Sequence, residues 1–336
     1  MYNKSAQITI TQATLFAYKI PFKSPMRFKE AHLTHREGLI LELTDKKNHQ
    51  HHIEIAPLPG FSQETLSEVT DEIILLLSTN FHDIVNYKSH FKSVQFALDC
   101  LRFNHSKEID DALTCIDNIP LLQGDHNAVI QQYQALNSPQ MIKLKVAKES
   151  IESDISTFQQ LCFLNPLLTI RCDANQAWSQ QQAALFFSAI DCQRLDYIEE
   201  PTGDHQINLQ LADKYQIYLA LDETLQRTSF DYQAHPFIKA FIIKPTLVGS
   251  KHKIDQLVSL AIQHDILVSF SSSFETIVGL QQLKDLTSHY LSEDNSRTLN
   301  ISLGIDTLKY FNGPLLKDSQ KIQQHCQQLE LLWTSN

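Results

Sequence analysis

LLTIRCDANQAW (167–178) decides the fold. Its first six residues form an apolar run too short for a helix. The run breaks at Asp173, where polar residues take over. A short apolar run that stops at a charged residue reads as a buried strand whose end opens onto a site. The same texture recurs on both sides. Upstream lie IPLLQ (119–123) and MIKLKV (141–146). Downstream lie DYIE (196–199), IYLAL (217–221), AFIIK (240–244), ILVSF (266–270) and LNISL (299–303). Helical stretches separate the runs. Eight buried strands alternating with helices predict a parallel (β/α)8-type barrel, with a doubly wound open sheet as the alternative.

The strand ends carry the chemistry. Barrel sites lie at the C-terminal ends of the strands. Lys143 and Lys145 are two residues apart, so on a strand they share a side. Asp173, Glu199 and Asp222 end the next three strands, Lys244 the sixth, and Ser271, Ser272 and Ser273 follow the seventh. From Lys145 to Ser271 the separations are 28, 26, 23, 22 and 27 residues, about one βα unit each. A lone acid at a strand end caps the next helix, a lone lysine snorkels, and three serines make a loop. Six consecutive ends carrying K, D, E, D, K and S are a set. Three carboxylates in one mouth repel and call for a cation among them. All-oxygen ligands favour a hard ion, Mg²⁺ first and Mn²⁺ as an alternative. Such an ion stabilises an enediolate formed from a substrate carboxylate, and a lysine beside other cations acts as a base.

The rest of the chain frames this site. The first hundred residues read as α+β. Strands are expected at 7–20, 39–45 and 51–58, with a DKKNHQ hairpin turn and helices near 62–79 and 86–103. Ser62 is the expected cap of the first helix. The expected division is an α+β capping domain, 1–112, joined by the C-terminal segment 312–336, and a barrel domain, 113–311. The last pattern, QKIQQHCQQLELLW (320–333), reads as a helix that ties the two units together. Glycine is scarce, 8 in 336, yet Gly124, Gly203, Gly249, Gly279 and Gly304 fall at or just beyond expected strand ends, where βα loops turn. His49, His51 and His52 fall on the hairpin and read as an exposed turn.

Composition narrows the function class. The formal charge is −10, with 28 Lys+Arg against 38 Asp+Glu and no basic stripe, which argues against a nucleic-acid partner. The six cysteines form no C-x-x-C pair and read as reduced thiols. MYNKSAQITI has no apolar signal core and no stretch is long enough to span a bilayer, so the expected location is cytoplasmic. No Gly-rich phosphate loop, H-E-x-x-H or G-x-S-x-G occurs. No protein partner is implied. The expected ligand is a small-molecule carboxylate.

The K-x-K of IKLKV, the D-A-N of RCDANQAW, the E-E-P of YIEEPT, the D-E-T of ALDET and the K-P-T of IIKPTLVGS resemble the enolase superfamily, in its muconate-lactonising-enzyme-like subgroup. APLPGFSQET (56–65), SSSFET (271–276) and GIDT (304–307) add a likeness to the proteobacterial branch of the o-succinylbenzoate synthase family. The resemblance covers nearly the whole chain. It implies Mg²⁺ held by Asp173, Glu199 and Asp222, with Lys145 removing the proton α to the carboxylate and then protonating the departing hydroxide. Lys244 would stabilise the enediolate from the opposite face. Lys143 and Arg171 would support the cluster, and Asn175 would stand behind it. Ser271 to Ser273 and the backbone at Gly304 would contact substrate, and the loops 27–34 and 57–64 would close over it. The implied activity is a lyase forming o-succinylbenzoate for menaquinone. An N-succinylamino acid racemase or dipeptide epimerase on the same scaffold, and a catalytically silent ligand-binding barrel, remain the alternatives.

Overall fold

The computed structural model describes residues 8–28, 31–102, 119–227, 230–293 and 299–335. The expected boundary at 112/113 and Cys115 lie outside the described residues. Strands β1 (Ile10–Phe28), β2 (Ala31–Asp45) and β3 (Gln50–Ile55) form an antiparallel sheet. Its apolar face, including Leu15, Leu39, Leu41 and Ile53, packs against the helix Leu66–Asn80. That helix is capped by Thr65, not by the expected Ser62. Thr65 and Glu68 form a reciprocal capping box, whereas Ser62 Oγ accepts from Leu58 N–H at 2.8 Å and holds the preceding turn.

Eight parallel strands follow, each overlapping one of the predicted runs, five of them shifted by one or two residues at an end: β4 (Leu121–Leu122), β5 (Met141–Lys145), β6 (Thr169–Asp173), β7 (Leu195–Glu199), β8 (Leu219–Leu221), β9 (Ile238–Ile243), β10 (Leu267–Ser271) and β11 (Ile301–Gly304). They neighbour one another in sequence order. A doubly wound sheet would need a switch point, and there is none. Residues of β4 and β11, the two ends of that order, line one cavity together with β5, β6, β7, β9 and β10, so the sheet curls into a barrel. Side-chain alternation sorts each strand. Ile142, Leu144, Ile170 and Cys172 pack outward against Phe158, Leu161 and Phe186 of the helices. Tyr197, Ala220, Ala240 and Ile242 fill the barrel's interior.

The helices are capped by residues other than the acids of interest. Asp125, Ser150, Ser179, Asp204 and Ser250 each accept a first-turn N–H. Asp173, Glu199 and Asp222 cap none of these helices. No helix among the described residues is long and apolar enough to cross a membrane, and the described cysteines are free.

The C-terminal segment corrects the sequence reading. Only Ile322–Cys326 is α-helical, and Glu330–Thr334 is a strand, β12, paired antiparallel with β1. The free edge of β1 supplies the partner for this apolar stretch, which a local helical pattern cannot anticipate. Gly279 is a second correction. It lies not in a βα loop but in the first turn of the helix Ile277–Glu293. There the buried Glu54 carboxylate of β3 accepts from Gly279 N–H at 2.8 Å and Thr276 Oγ1 at 2.6 Å. A Cβ at 279 would stand 2.9 Å from Glu54 Oε2 and 2.5 Å from Glu275 Cβ. Gly279→Ala should therefore destabilise the fold by about 2–3 kcal/mol, while Gly203→Ala, with open space around it, should stay within about 0.5 kcal/mol, both read by urea unfolding.

Candidate active site

The sequence-predicted charges meet at the C-terminal end of the barrel. In β5 the period of two turns both lysines inward. Lys143 Nζ donates to Glu199 Oε2 at 2.7 Å and lies 3.1 Å from Asp173 Oδ2. Lys145 Nζ donates to the same Asp173 oxygen at 2.8 Å. Across the mouth, Lys244 Nζ donates to Asp222 Oδ2. β5 and β9, which deliver Lys145 and Lys244, are four strands apart in an eight-stranded barrel, hence on opposite sides. The acids come from the strands between. Asp173 and Glu199 line the cavity; Asp222 does not, being covered by Lys244.

The cluster is short of positive charge. Lys143, Lys145 and Lys244 face Asp173, Glu199, Asp222 and Glu223. Burial pushes the Glu199 carboxyl up to about 8 against the pull of Lys143, with Asp173 and Asp222 adding to the rise. Burial and Asp222 push Glu223 up to about 7, and its buried Oε2 has no hydrogen-bond partner. Asp173 is held well below the carboxylate range by Lys145, Lys143 and Lys244 in spite of burial. Glu199 and Asp173 hold Lys143 well above its usual value against burial, and Asp222 and Glu223 do the same for Lys244. Buried carboxylates forced towards the protonated state, one with an orphaned oxygen, are the chemistry a hard divalent cation satisfies. The residues present fit such an ion.

The remaining predicted residues divide. Ser271, Ser272 and Gly304 line the cavity. A Cβ at Gly304 would stand 2.7 Å from Ser271 Oγ, so a side chain there would turn that hydroxyl aside. Ser272 Oγ donates to Glu275 at 2.7 Å, and Ser273 lines an adjoining pocket under the capping sheet. Asn175 Nδ2 donates to Glu223 Oε1 at 3.3 Å, behind the acids. Arg171 lines the cavity but pairs with Asp196 at 2.7 Å and lies over the Tyr197 ring, so its partner is not the acid triad. Leu58 and Phe61 from the 57–64 loop, and Met26, Arg27 and Phe28 from β1, roof the adjoining pocket. Residues 29 and 30 of the expected 27–34 loop lie outside the described residues, and the described flanks are strand rather than loop.

Comparison with known proteins follows the same outline. Residues 10–105 match the family model "MenC, N-terminal domain" and residues 127–290 match "Enolase C-terminal domain-like". The chain is 29% identical to the o-succinylbenzoate synthase of Aliivibrio salmonicida, over 96% of this chain and 99% of that one. It is 30% identical to that of Edwardsiella ictaluri, over 91% and 93%. The chain belongs to the o-succinylbenzoate synthase family. It is an enzyme, a hydro-lyase of the enolase superfamily. Solved structures share the fold: the o-succinylbenzoate synthase of Thermosynechococcus elongatus, complexed with Mg in its active site, at TM-score 0.72 and 21% identity over 95% of this chain and 100% of that one. The N-succinyl Arg/Lys racemase of Bacillus cereus gives 0.75 at 14% identity, over 98% and 99%.

Three residues of this family member escape a strand-end reading. Glu200, beside Glu199, turns away from the mouth and accepts from Asp222 N–H, Thr224 N–H and Thr224 Oγ1, so it sets the backbone that presents Asp222. Lys148 lies in the loop after β5 and lines the roofed pocket. Asp154, buried beneath that loop, accepts from Ala147 N–H at 2.9 Å, where Ala147 adopts φ 61°. Only the first carries a sequence signal, the doubled acid of E-E-P.

Burial pushes Asp154 from 3.8 to about 6. Between those values the folded chain binds the proton more tightly than the unfolded chain, so stability is full below the window and falls as pH rises through it. Asp154→Asn keeps the acceptor for Ala147 N–H and should flatten this slope. The difference should be on the order of 1–2 kcal/mol after solvent screening, read by denaturant unfolding across the window.

Proposed function

We propose that this chain dehydrates 2-succinyl-6-hydroxy-2,4-cyclohexadiene-1-carboxylate to o-succinylbenzoate in menaquinone biosynthesis. The observation that carries the reading is the placement of Lys145 and Lys244 on opposite sides of one acid cluster. Asp173, Glu199 and Asp222 would hold Mg²⁺, with Mn²⁺ as a substitute. The ion would supply positive charge to the substrate carboxylate as charge builds up on it. Lys145 takes the proton α to that carboxylate, then returns a proton to the leaving hydroxide on the same face. Lys143, pinned between Asp173 and Glu199, draws both carboxylates together and holds them in place. Lys244 faces the other side of the substrate plane as an ammonium. Aromatisation drives the second step, so stabilising the anion is the main demand on the protein. Ser271, Ser272 and the Gly304 backbone border the substrate, while the capping unit 1–112, closed by 312–336, shapes its choice. The free thiols support a cytoplasmic setting.

The substrate's second carboxylate needs a cation too. Lys148 points into the roofed pocket near Arg27 and Lys145, with no ion-pair partner among the described residues, and burial lowers it with those two cations adding to the effect. A succinyl carboxylate arriving there would relieve the crowding.

A racemase reading rests on the two opposed lysines, since racemisation needs a base on each face. Solvent deuterium exchange into N-succinylamino acids, measured against dehydration rate, separates the two activities.

Lys145→Ala should lower turnover at least about 10³-fold with an unchanged circular dichroism spectrum. Substantial dehydration by that variant, or dehydration that survives EDTA, overturns the assignment. Lys148→Met should raise KM about tenfold or more with little change in kcat, and an unchanged KM removes Lys148 from the substrate site.

A further inference from the structure

The histidine-rich hairpin has no part in the barrel chemistry, and the structure divides it. His49 Nδ1 lies 3.2 Å from Asp45 Oδ2 and His51 Nε2 lies 3.5 Å from the same oxygen, so these two histidines serve the turn. His52 belongs to the other face of the sheet, where Glu42 stands opposite it across the β2–β3 ladder. Their side chains meet at 2.9 Å. Cys326, at the end of the short C-terminal helix, is buried against that same face. One carboxylate oxygen of Glu42, one ring nitrogen of His52 and the sulfur of Cys326 all lie within 4.8 Å of one another.

The three donors suit one ion. Around tetrahedral Zn²⁺, with bonds of about 2.0–2.3 Å, neighbouring donor atoms stand about 3.3–3.8 Å apart. The Glu42–His52 separation is already close to that, and Cys326 needs only a small side-chain adjustment. The ladder fixes the backbones of Glu42 and His52. The helix carrying Cys326 is fixed by its neighbour His325, whose buried ring accepts from Leu316 N–H at 2.9 Å. The side chains of Glu42 and His52 are 20% and 15% exposed, so the site has a wet rim that gives an entry path and a water for the fourth position. A cross-strand ion pair by itself accounts for Glu42 and His52 but asks nothing of residue 326. Thiolate and imidazole select Zn²⁺ over Mg²⁺, opposite to the all-oxygen donors of the barrel mouth.

We propose that Glu42, His52 and Cys326 form a second metal site, a three-ligand Zn²⁺ site on the capping sheet. On binding, the Cys326 thiol releases its proton to solvent and the ion joins β2, β3 and the C-terminal helix. The site fastens the returning C-terminal segment to the capping sheet and takes no part in proton abstraction.

The test uses the full chain with saturating Mg²⁺, and Co²⁺ as the spectroscopic probe. One equivalent of Co²⁺ should give a thiolate-to-cobalt charge-transfer band that Zn²⁺ abolishes. The band should vanish in Cys326→Ser. Co²⁺ affinity should drop at least tenfold in His52→Gln and in Glu42→Gln, two rim substitutions that leave the buried core untouched. Stoichiometric Zn²⁺ should raise the wild-type Tm by several degrees and leave that of His52→Gln unmoved. Dehydration in Mg²⁺ should be the same in wild type and both rim variants. The absence of a charge-transfer band in the wild type, its persistence in Cys326→Ser, or a Zn²⁺-induced Tm shift that survives His52→Gln overturns the proposal.

Discussion

The Glu54 carboxylate holds the two halves of this molecule in register. It belongs to β3 of the capping sheet, yet it sits at the N-terminus of the barrel helix Ile277–Glu293, accepting from Thr276 N–H, Thr276 Oγ1 and Gly279 N–H. Tyr18 Oη donates to Oε1 at 2.5 Å, and the Thr276 N–H is shared between Oε1 and Oε2. A buried carboxylate is tolerated only when its lone pairs are used, and here a helix dipole and four donors use them. The buried Arg36 of β2 makes the complementary link. Its guanidinium donates to Ala56, Pro57 and Phe274 carbonyls at 2.6, 2.7 and 3.0 Å. The 271–276 loop, which borders the cavity, is thereby bonded to the same sheet that roofs it. The cavity's shape is a property of this junction.

That junction was out of reach of the sequence, and the reason is physical. Alternation and apolar run length are local signals, so all eight barrel strands were readable from residues a few positions apart. The charges at the strand ends were readable because strand periodicity decides which side chains point inward. Glu54 and Arg36 are different. Each sits in an ordinary alternating strand, and nothing nearby says that its partner lies more than two hundred residues away. The strand at 330–334 failed for the same reason: its stability comes from an edge supplied by residues 14–17. Gly279 is scarce by type but its cause, a carboxylate from another domain, is invisible locally.

Within the mouth, neighbours in sequence do opposite work. Glu199 and Glu200 are consecutive, but the strand ends at Glu199, and the left-handed backbone of Glu200 (φ 37°) turns its side chain the other way. Glu199 enters the cavity and is crowded by Asp173 and Asp222. Glu200 goes behind the wall and takes the donors of the Asp222–Thr224 turn. The doubled acid of E-E-P therefore places one charge where it is used and another where it holds the next strand's end. Asn175 works from behind in the same way, through Glu223. Strand alternation alone does not separate the two acids, because the turn at Glu200 falls outside the strand.

The two lysine sides also differ in their constraint. Lys143 and Lys145 share the carboxylates of neighbouring strands, and Asp173 is common to both. Lys244 has Asp222 on one side and the Phe61 ring of the capping loop on the other, 5.9 Å away. Both lysines line the pocket that Met26, Arg27, Phe28 and Phe61 roof, and the ring contact of the cap falls on the Lys244 side. The strands thus fix the charges of the mouth, while the capping loops shape the space above them. Phe61 and Arg27 of the capping unit, with Lys148 of the loop after β5, line that space from outside the barrel strands.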